Sequence, residues 1–393
     1  MMRMLAELLA GLQVAHQPAT TAQAPATPTP PASEASPLPL FSLVAAEFLA
    51  GATHYTETTR RQTRLTADLL TEHLGDRPIG EYTGRDAGRF LDWLRRLPSN
   101  HGKSGRPMTA TKAIAAADAS RATVPRISEK TVKRHCSSVS AIWTYARPRE
   151  LVERNVWSGF RFAGTRAPSP RDVWSPSDIR ALFARPWRST AVSNNTFRLS
   201  VGIAAYSGMR MEEICRLRPA HDFERHDGRW MMIIQRHPDG WSPKTDSGER
   251  AVPVHPELLS LGLMEHVERM KRRDSQHLFH DLRPGSRDGE LSAMLSKAFS
   301  NHKRAAGVSD STVFHSWRHN ISTMLRNQAA EIRESWIDAV LGHRSSERSE
   351  GARTYLHKIG AKNLCRTIDS IRYDDVDLPA LLRWETGQGA HTH

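Results

Sequence analysis

Residues 315–325 read HSWRHNISTML, and this stretch decides how the rest of the chain is interpreted. His315 and His319 are four residues apart, so they lie on one face of a helix. Arg318 directly precedes the second histidine and holds a guanidinium beside the imidazoles. Two kinds of chemistry suit this arrangement: a metal site, or a clamp on a phosphate. The remaining sequence has to distinguish them.

Composition points to an anionic partner. The chain has 393 residues, enough for two domains with their own cores, and a formal net charge of +13 with a pI of about 10.1. Such a charge favours nucleic acid, although a merely soluble basic surface is the simpler alternative. Three widely spaced cysteines argue against disulfides or a cysteine zinc site. No apolar run approaches the ~20 residues that cross a bilayer, so we expect a cytoplasmic protein without a membrane partner.

The N-terminal part divides into two regions. Residues 1–39 are rich in Ala, Pro and Thr and are predicted to be a disordered leader. Residues 40–162 are predicted to form a helical domain, because apolar residues recur there at helical spacing. Helices are expected at 40–51, 57–75, 84–98 and 128–146, and an inserted loop with about one helical turn at 99–126.

The last of these helices carries a cluster of basic residues. Ser128 is a suitable N-cap, and Lys133, Arg134 and His135 are expected to present cations together. The functional interpretation is contact with DNA phosphates, and the alternative is an ordinary solvated helix face. The sequence does not separate these two.

A second domain is predicted over 174–371, after a linker at 163–173. Its helical pattern is interrupted by strand-like segments at 229–235, 241–244 and 250–254, with turns between them. The fold class is therefore mainly α with a small antiparallel β-sheet. Helices are expected at 177–184, 195–208, 211–219, 256–273, 290–307, 315–328 and 334–342.

Four stretches of the second domain carry polar residues in a distinctive order. They read GMRMEEIC at 208–215, SPKTDSGERAVPV at 242–254, HSWRH at 315–319, and LGH at 341–343 followed by TYLH at 354–357. Taken singly, each has an ordinary explanation, such as a surface ion pair, an exposed lysine or a packed tyrosine. Their combination and order are much more specific.

Together these stretches resemble the catalytic domain of the tyrosine recombinases, the phage integrase family, and the resemblance spans roughly residues 40–371. It implies a helical, SAM-like core-binding domain followed by a mixed α/β catalytic domain. GMRMEEICRL is similar to the family's Gly-Leu-Arg-x-x-Glu-Leu signature, which implies that Arg210 is the first catalytic arginine and Glu213 its supporting carboxylate. Trp317 replaces the usual leucine in HSWRH and is expected to face the core.

The other motifs imply the remaining site. The hairpin motif places Lys244 at its turn, HSWRH supplies His315 and Arg318, LGH supplies His343, and RTYLH supplies the nucleophile Tyr355. His319 is interpreted as a structural histidine. Tyr373 is a competing nucleophile, but it lies beside acidic residues that would repel a phosphodiester.

The chemistry of phosphodiester cleavage suits these residue types. Planar guanidinium groups match the nonbridging oxygens, and histidines donate to them or accept a proton near neutral pH. Tyrosine, with a reference pKa of about 10, needs cationic neighbours to attack as a phenolate. A 3′-phosphotyrosyl product preserves the energy of the bond, so the reaction is expected to need neither metal, ATP nor another cofactor.

Three alternatives remain at this stage. His315, His319 and His343 could bind zinc, but Ser316 stands where a zincin would have its glutamate. The chain could be a catalytically silent sequence-specific DNA-binding protein, which would not need this residue set. It could also be an enzyme resembling type IB topoisomerases.

The resemblance also implies partners. These are double-stranded DNA and further copies of the chain, as a homo-tetramer on paired DNA sites that is weakly associated or monomeric without DNA. The tail at 372–393 has a short apolar segment, and docking on a neighbouring copy is favoured over docking on its own domain.

Overall fold

A computed structural model describes residues 38–102, 108–164, 173–243, 245–285, 289–328, 331–343 and 359–383. The chain divides into two compact units with a boundary near residue 160, and the short segments 54–62 and 128–133 group with the second unit. None of the helices in these ranges combines the length and hydropathy needed to cross a bilayer.

The first unit is helical. Its helices are α1 (Phe41–Gly51), α2 (Glu57–Leu74), α3 (Gly84–Arg95), α4 (Ala110–Asp118) and α5 (Glu129–Ala146), of which α2 and α5 begin in the segments that group with the second unit. A capping box starts α3, because the Thr83 side chain accepts from the Asp86 amide while the Asp86 carboxylate accepts from the Thr83 amide. Large side chains such as Phe90 and Trp143 fill the core.

The predicted loop at 99–126 is partly wrong. It contains α4, a nine-residue helix whose N-cap is Thr109 and whose Ile114 is buried. The run of alanines offers only a weak helical period, so its burial depends on contacts made elsewhere. The Glu72 carboxylate binds two amides at its N-terminal end, at 3.1 Å to Ala110 and 2.7 Å to Thr111.

The second unit surrounds a small sheet with helices. Its helices are α6 (Pro176–Ala184), α7 (Asn194–Ser207), α8 (Met211–Cys215), α9 (Pro256–Ser260), α10 (Leu263–Arg272), α11 (Ser292–Ala305), α12 (Ser316–Asn327), α13 (Glu334–Leu341), α14 (Ala361–Asp369) and α15 (Leu378–Leu382). Its strands are β1 (Phe223–His226), β2 (Arg229–Ile234) and β3 (Arg250–Pro253). The predicted fold class, mainly α with a small antiparallel sheet, is confirmed.

The sheet has the order β1-β2-β3, and both pairings are antiparallel. The predicted strand at 241–244 is wrong, because residues 241–243 are not in a strand. The missed strand is β1, which joins β2 through Asp227 and Gly228, both with positive φ. An Asp-Gly pair between alternating segments is a strong hairpin signal, and it was present in the sequence.

The core of the second unit includes the centre of the HSWRH stretch. Trp317 is fully buried and stacks on Trp174, with ring centroids 4.9 Å apart, as expected for a residue that faces the core. The predicted helix at 256–273 divides into α9 and α10 at Gly262, whose φ is +84°. A left-handed residue interrupts the helical geometry there.

The described part of the tail, 372–383, packs on its own domain, contrary to the preference for a neighbouring copy. Leu378 and Leu382 of α15 are fully buried. The Arg198 side chain on α7 donates to the Leu381 carbonyl, and Arg180 on α6 donates to that of Asp375 at 2.5 Å. This part of the tail therefore completes the core of the second unit.

Candidate active site

Arg210 stands at the junction of α7 and α8. Gly208 ends α7 in the left-handed conformation, at φ +66°, and Arg210 is the N-cap of α8. The Arg210 guanidinium donates to Glu213 Oε1 at 2.7 Å, and its backbone amide donates to Oε2 at 2.9 Å. Glu213 thus holds Arg210 by both its side chain and its backbone. The Arg210 side chain stays 26% exposed and can reach a ligand.

Glu213 is a buried carboxylate between two arginines. Arg250 on β3 donates to it through Nη2, 2.9 Å from Oε2, and through Nη1, 3.3 Å from Oε1. Burial alone would raise the pKa of the Glu213 carboxyl, but the charges and hydrogen bonds of Arg250 and Arg210 outweigh burial and lower the pKa to about 2. The carboxylate is therefore ionised at any physiological pH.

Arg318 lies deeper than Arg210. Its Nη1 donates to the Gly208 carbonyl at 2.8 Å and its Nη2 donates to the Leu341 carbonyl, and only 3% of the residue is exposed. Burial and the neighbouring charges of Arg250 and Arg210 lower the pKa of the guanidinium to about 9. Three arginines are therefore close enough in this site to interact electrostatically.

His315 and His319 are placed at the start of α12. His315 is the N-cap residue, and the two imidazole rings meet edge to face with centroids 5.1 Å apart. Beside His315 is a cavity of about 550 Å³, lined by residues that include Met211, Ser296 and Lys297. The lining of this cavity therefore includes Met211, which follows Arg210, as well as the histidine.

His343 follows the end of α13. Gly342 ends the helix at φ +64°, and the His343 amide donates to the Asp338 carbonyl at 2.9 Å. The His343 Nδ1 lies 3.4 Å from Asp338 Oδ1, and the side chain is 36% exposed. Within the described residues, no group of three His, Cys, Asp or Glu side chains is arranged to hold a metal ion.

Lys244 and the predicted nucleophile Tyr355 lie outside the described residues. The competing tyrosine is described. The Tyr373 hydroxyl donates to the Ala205 carbonyl at 2.9 Å, and burial raises its pKa well above the usual range. A hydroxyl held in this way is a poor nucleophile, which agrees with the sequence-based preference for Tyr355.

The basic cluster on α5 is only partly as predicted. Lys133 and Arg134 are exposed, but His135 is buried, and its Nδ1 lies 2.8 Å from the Thr66 hydroxyl oxygen. Burial lowers the pKa of His135 to about 4, so the ring is neutral at pH 7. The prediction that His135 presents a cation is wrong, because its position on α5 faces the core.

Sequence reasoning missed the part that Arg250 plays in this site. The motif identifies the residue only as the first letter of an Arg-x-Val-Pro strand. Its partner Glu213 lies in another motif and its partner Val340 directly precedes LGH, so no local pattern reveals the contact. The available signal was an arginine at the start of a buried strand, where an unpaired charge is costly.

Comparisons with known proteins relate the second unit to a known family and fold. Residues 173–359 match the model of the phage integrase family. Among solved structures, the Tn1549 transposon integrase in complex with circular intermediate DNA superposes with a TM-score of 0.53 at 15% identity, over 82% of this chain and 96% of that one. No curated protein sequence matches significantly.

Two further structures show the same fold. A lambda integrase tetramer bound to a Holliday junction gives a TM-score of 0.52 at 15% identity, covering 80% of this chain and 81% of that chain. The Tn1549 integrase in complex with transposon right end DNA gives 0.51 at 15% identity, covering 81% and 99%. The second unit thus has the fold of a tyrosine-recombinase catalytic domain. The predicted resemblance is confirmed as far as the family model extends, since residues 173–359 match the phage integrase family.

Proposed function

We propose that this protein is a site-specific DNA recombinase that cuts and rejoins DNA through a 3′-phosphotyrosyl intermediate and integrates or excises a mobile element. The observation that carries the proposal is the convergence of Arg210 and Arg318 around the end of α7. Arg318 reaches the carbonyl of Gly208 from 110 positions away. Two guanidinium groups that converge in this way suit the nonbridging oxygens of one phosphate.

In the proposed reaction the Tyr355 oxygen attacks phosphorus and the bond to the 5′-oxygen breaks. Arg210 and Arg318 stabilise the charge that accumulates on the nonbridging oxygens. His315 and His343 donate to those oxygens or accept the tyrosine proton, and Lys244 protonates the departing 5′-oxygen. The reverse attack by a 5′-hydroxyl restores the phosphodiester and frees the tyrosine, so that ATP and metal ions have no step to perform.

The cavity beside His315 offers a path for the DNA backbone. Lys297, Ser296 and Ser300 line it from α11, while Met211 connects it to the Arg210 region. Lysine and hydroxyl groups are common donors to phosphate oxygens in protein–DNA contacts. Exposed Lys133 and Arg134 supply a second set of cations on α5.

The proposed partner is double-stranded DNA. Four copies of the chain bind it on paired sites, and without DNA the copies are weakly associated or monomeric. Two alternatives predict different outcomes, which need separate assays. A silent DNA-binding protein forms no covalent adduct, and a topoisomerase-like enzyme relaxes supercoils without exchanging strands between sites.

The test uses a nicked suicide duplex carrying a site selected from random DNA by the chain itself. Tyr355→Phe should bind this duplex with nearly unchanged affinity and form no covalent adduct on a denaturing gel, because only the attacking hydroxyl is lost. Tyr373→Phe is the matched control and should still form the adduct. EDTA should leave the adduct yield unchanged. If Tyr355→Phe still forms the adduct and Tyr373→Phe does not, the nucleophile is Tyr373 and not Tyr355.

A further inference from the structure

Arg250 connects the polar parts of the active site, although it was not among the predicted catalytic residues. Its side chain is only 6% exposed. Three of its nitrogens are engaged: Nη1 and Nη2 donate to Glu213, Nη1 also donates to the Gly248 carbonyl at 2.9 Å, and Nε donates to the Val340 carbonyl at 2.7 Å. One guanidinium therefore links β3, the start of α8 and the end of α13.

The link to α8 acts on Arg210. Glu213 accepts from both arginines, and without Arg250 its carboxylate would keep one cationic partner in a buried site. A buried carboxylate with incomplete pairing is costly, and it would draw the Arg210 guanidinium toward itself. Arg250 shares the charge of Glu213, which leaves Arg210 able to bind a second anion.

The link to α13 acts on the segment that precedes His343. The last carbonyls of a helix lack internal partners and carry partial negative charge. Arg250 satisfies the carbonyl of Val340, and Arg318 satisfies that of Leu341. Gly342 allows this approach, since a Cβ there would lie 2.9 Å from Arg250 Nη1. The end of α13 is thus fixed against the site by two arginines.

We infer that Arg250 is a positioning residue for strand cleavage, which orients Arg210 through Glu213 and fixes the helix end that leads to His343. This inference rests on the proposed recombinase function. Arg250 itself need not touch DNA. Its removal should impair the chemical step and leave DNA affinity nearly unchanged.

The experiment compares Arg250→Met with Arg218→Met in the full chain. Arg218 is a suitable control, because it also forms a buried two-pronged ion pair, with Asp222, at 3.0 Å from Nε to Oδ2 and 2.7 Å from Nη2 to Oδ1. Each variant is assayed for thermal unfolding, DNA affinity and single-turnover adduct formation on the suicide duplex. Arg250→Met should cleave at least about 100-fold more slowly at similar affinity, as when one preorganised donor is lost. Arg218→Met should cleave within about threefold of wild type if the ion pair matters only for folding.

A double variant separates positioning from a general loss of folded protein. If Arg250 acts through Arg210, adding Arg250→Met to Arg210→Lys should slow cleavage by less than about tenfold further, because the two changes affect one interaction. The inference would be overturned if the rate reductions of the two single variants multiply fully in the double variant. It would also be overturned if Arg250→Met cleaves within threefold of the wild-type rate. If Arg250→Met does not fold, Arg250→Lys serves in its place, since a single ammonium cannot reach Glu213 and Val340 together.

The result for the wild-type protein shows whether a failure concerns the role of Arg250 or the proposed recombinase function on which that role rests. No adduct with wild-type protein on its selected site would overturn the recombinase proposal, and the role of Arg250 with it. An adduct with wild type, combined with rapid cleavage by Arg250→Met, would overturn the role of Arg250 alone.

Discussion

The guanidinium of Arg318 shows how this site holds a positive charge in a fixed orientation. Two backbone carbonyls, of Gly208 and Leu341, replace water as its acceptors. Its pKa of about 9 is low for arginine because the group is buried near two other arginines, yet it remains protonated at pH 7. A charge oriented in advance needs no reorganisation in the transition state, which is the main source of electrostatic catalysis.

Glu213 should make the folding stability of the second unit sensitive to acid. Its folded pKa of about 2 lies below its ordinary value of 4.5, so its stabilising contribution is present above pH 4.5 and is lost as the pH falls toward 2. Denaturant unfolding of wild type and Glu213→Gln at pH 7 and pH 3 tests this. The loss of stability between these pH values should be smaller in the variant by about 2 kcal/mol. Equal losses in both proteins would contradict the ionised, doubly paired carboxylate.

At the scale of elements, the site is assembled from helix ends. Arg210 caps α8, His315 precedes α12, and His343 follows α13. Helix ends leave backbone groups unpaired, and the arginines of this site use them as acceptors. Gly208 and Gly342 end α7 and α13 in the left-handed conformation, which lets the chain turn while packing closely.

Gly342→Ala should impair both stability and cleavage. A Cβ at this position meets Arg250 Nη1 and the Ser247 carbonyl, both at 2.9 Å, in addition to the left-handed strain of about 1–2 kcal/mol. Gly228→Ala is the control, because Gly228 has φ +79° but a Cβ added there would meet nothing within 4 Å. Gly228→Ala should show only the strain and cleave at the wild-type rate. Equal stability and equal cleavage in the two variants would show that the close approach to Arg250 is unimportant.

The packing of the tail on its own domain predicts the effect of removing α15. Truncation after Asp377 removes α15, and with it the fully buried Leu378 and Leu382. We expect the second unit to lose at least about 3 kcal/mol, measured by denaturant unfolding, since one buried leucine contributes about 2–5 kcal/mol. Truncation after Arg383 is the control and should unfold like the full chain. If the first truncation leaves stability unchanged and abolishes only cooperative assembly, the tail docks on a neighbouring copy and not on its own domain.

At the scale of the whole molecule, the net charge of +13 is the feature that matters for the proposed binding of DNA. Cations that neutralise phosphates release counterions, so affinity falls with salt in proportion to the number of contacts. Each of the two units presents exposed basic residues, among them Arg134 in the first unit and Lys297 in the second. We therefore expect strong salt dependence for the full chain.

The double variant Lys133→Ala/Arg134→Ala should bind more weakly and with a shallower salt dependence. If both residues contact phosphates, the log–log slope should decrease by about 0.9 for each. Fluorescence anisotropy between low and moderate salt measures it. Lys271→Ala is the control: this lysine is paired with Glu268 at 2.8 Å on α10, and its removal should leave the slope unchanged. A double variant with the wild-type slope would identify the α5 cations as an ordinary solvated face.

Local pattern was sufficient for much of this protein. Apolar spacing predicted most helices of both units, and the motif order led to the phage integrase family. These features depend on neighbouring residues along the chain, which is why a single sequence reveals them. The burial of Trp317 was expected from the family resemblance, because Trp317 replaces a leucine that the family has at this position.

Contacts between distant segments were decided only by the tertiary structure. His135 turned out to be buried, α4 formed in a predicted loop, and Arg250 joined Glu213 to Val340. Each outcome depends on which face of one element meets another, and the free energy of that packing outweighs local preference. Sequence periodicity can identify an apolar face or a charged residue, but the partner of that residue is determined when the whole chain packs.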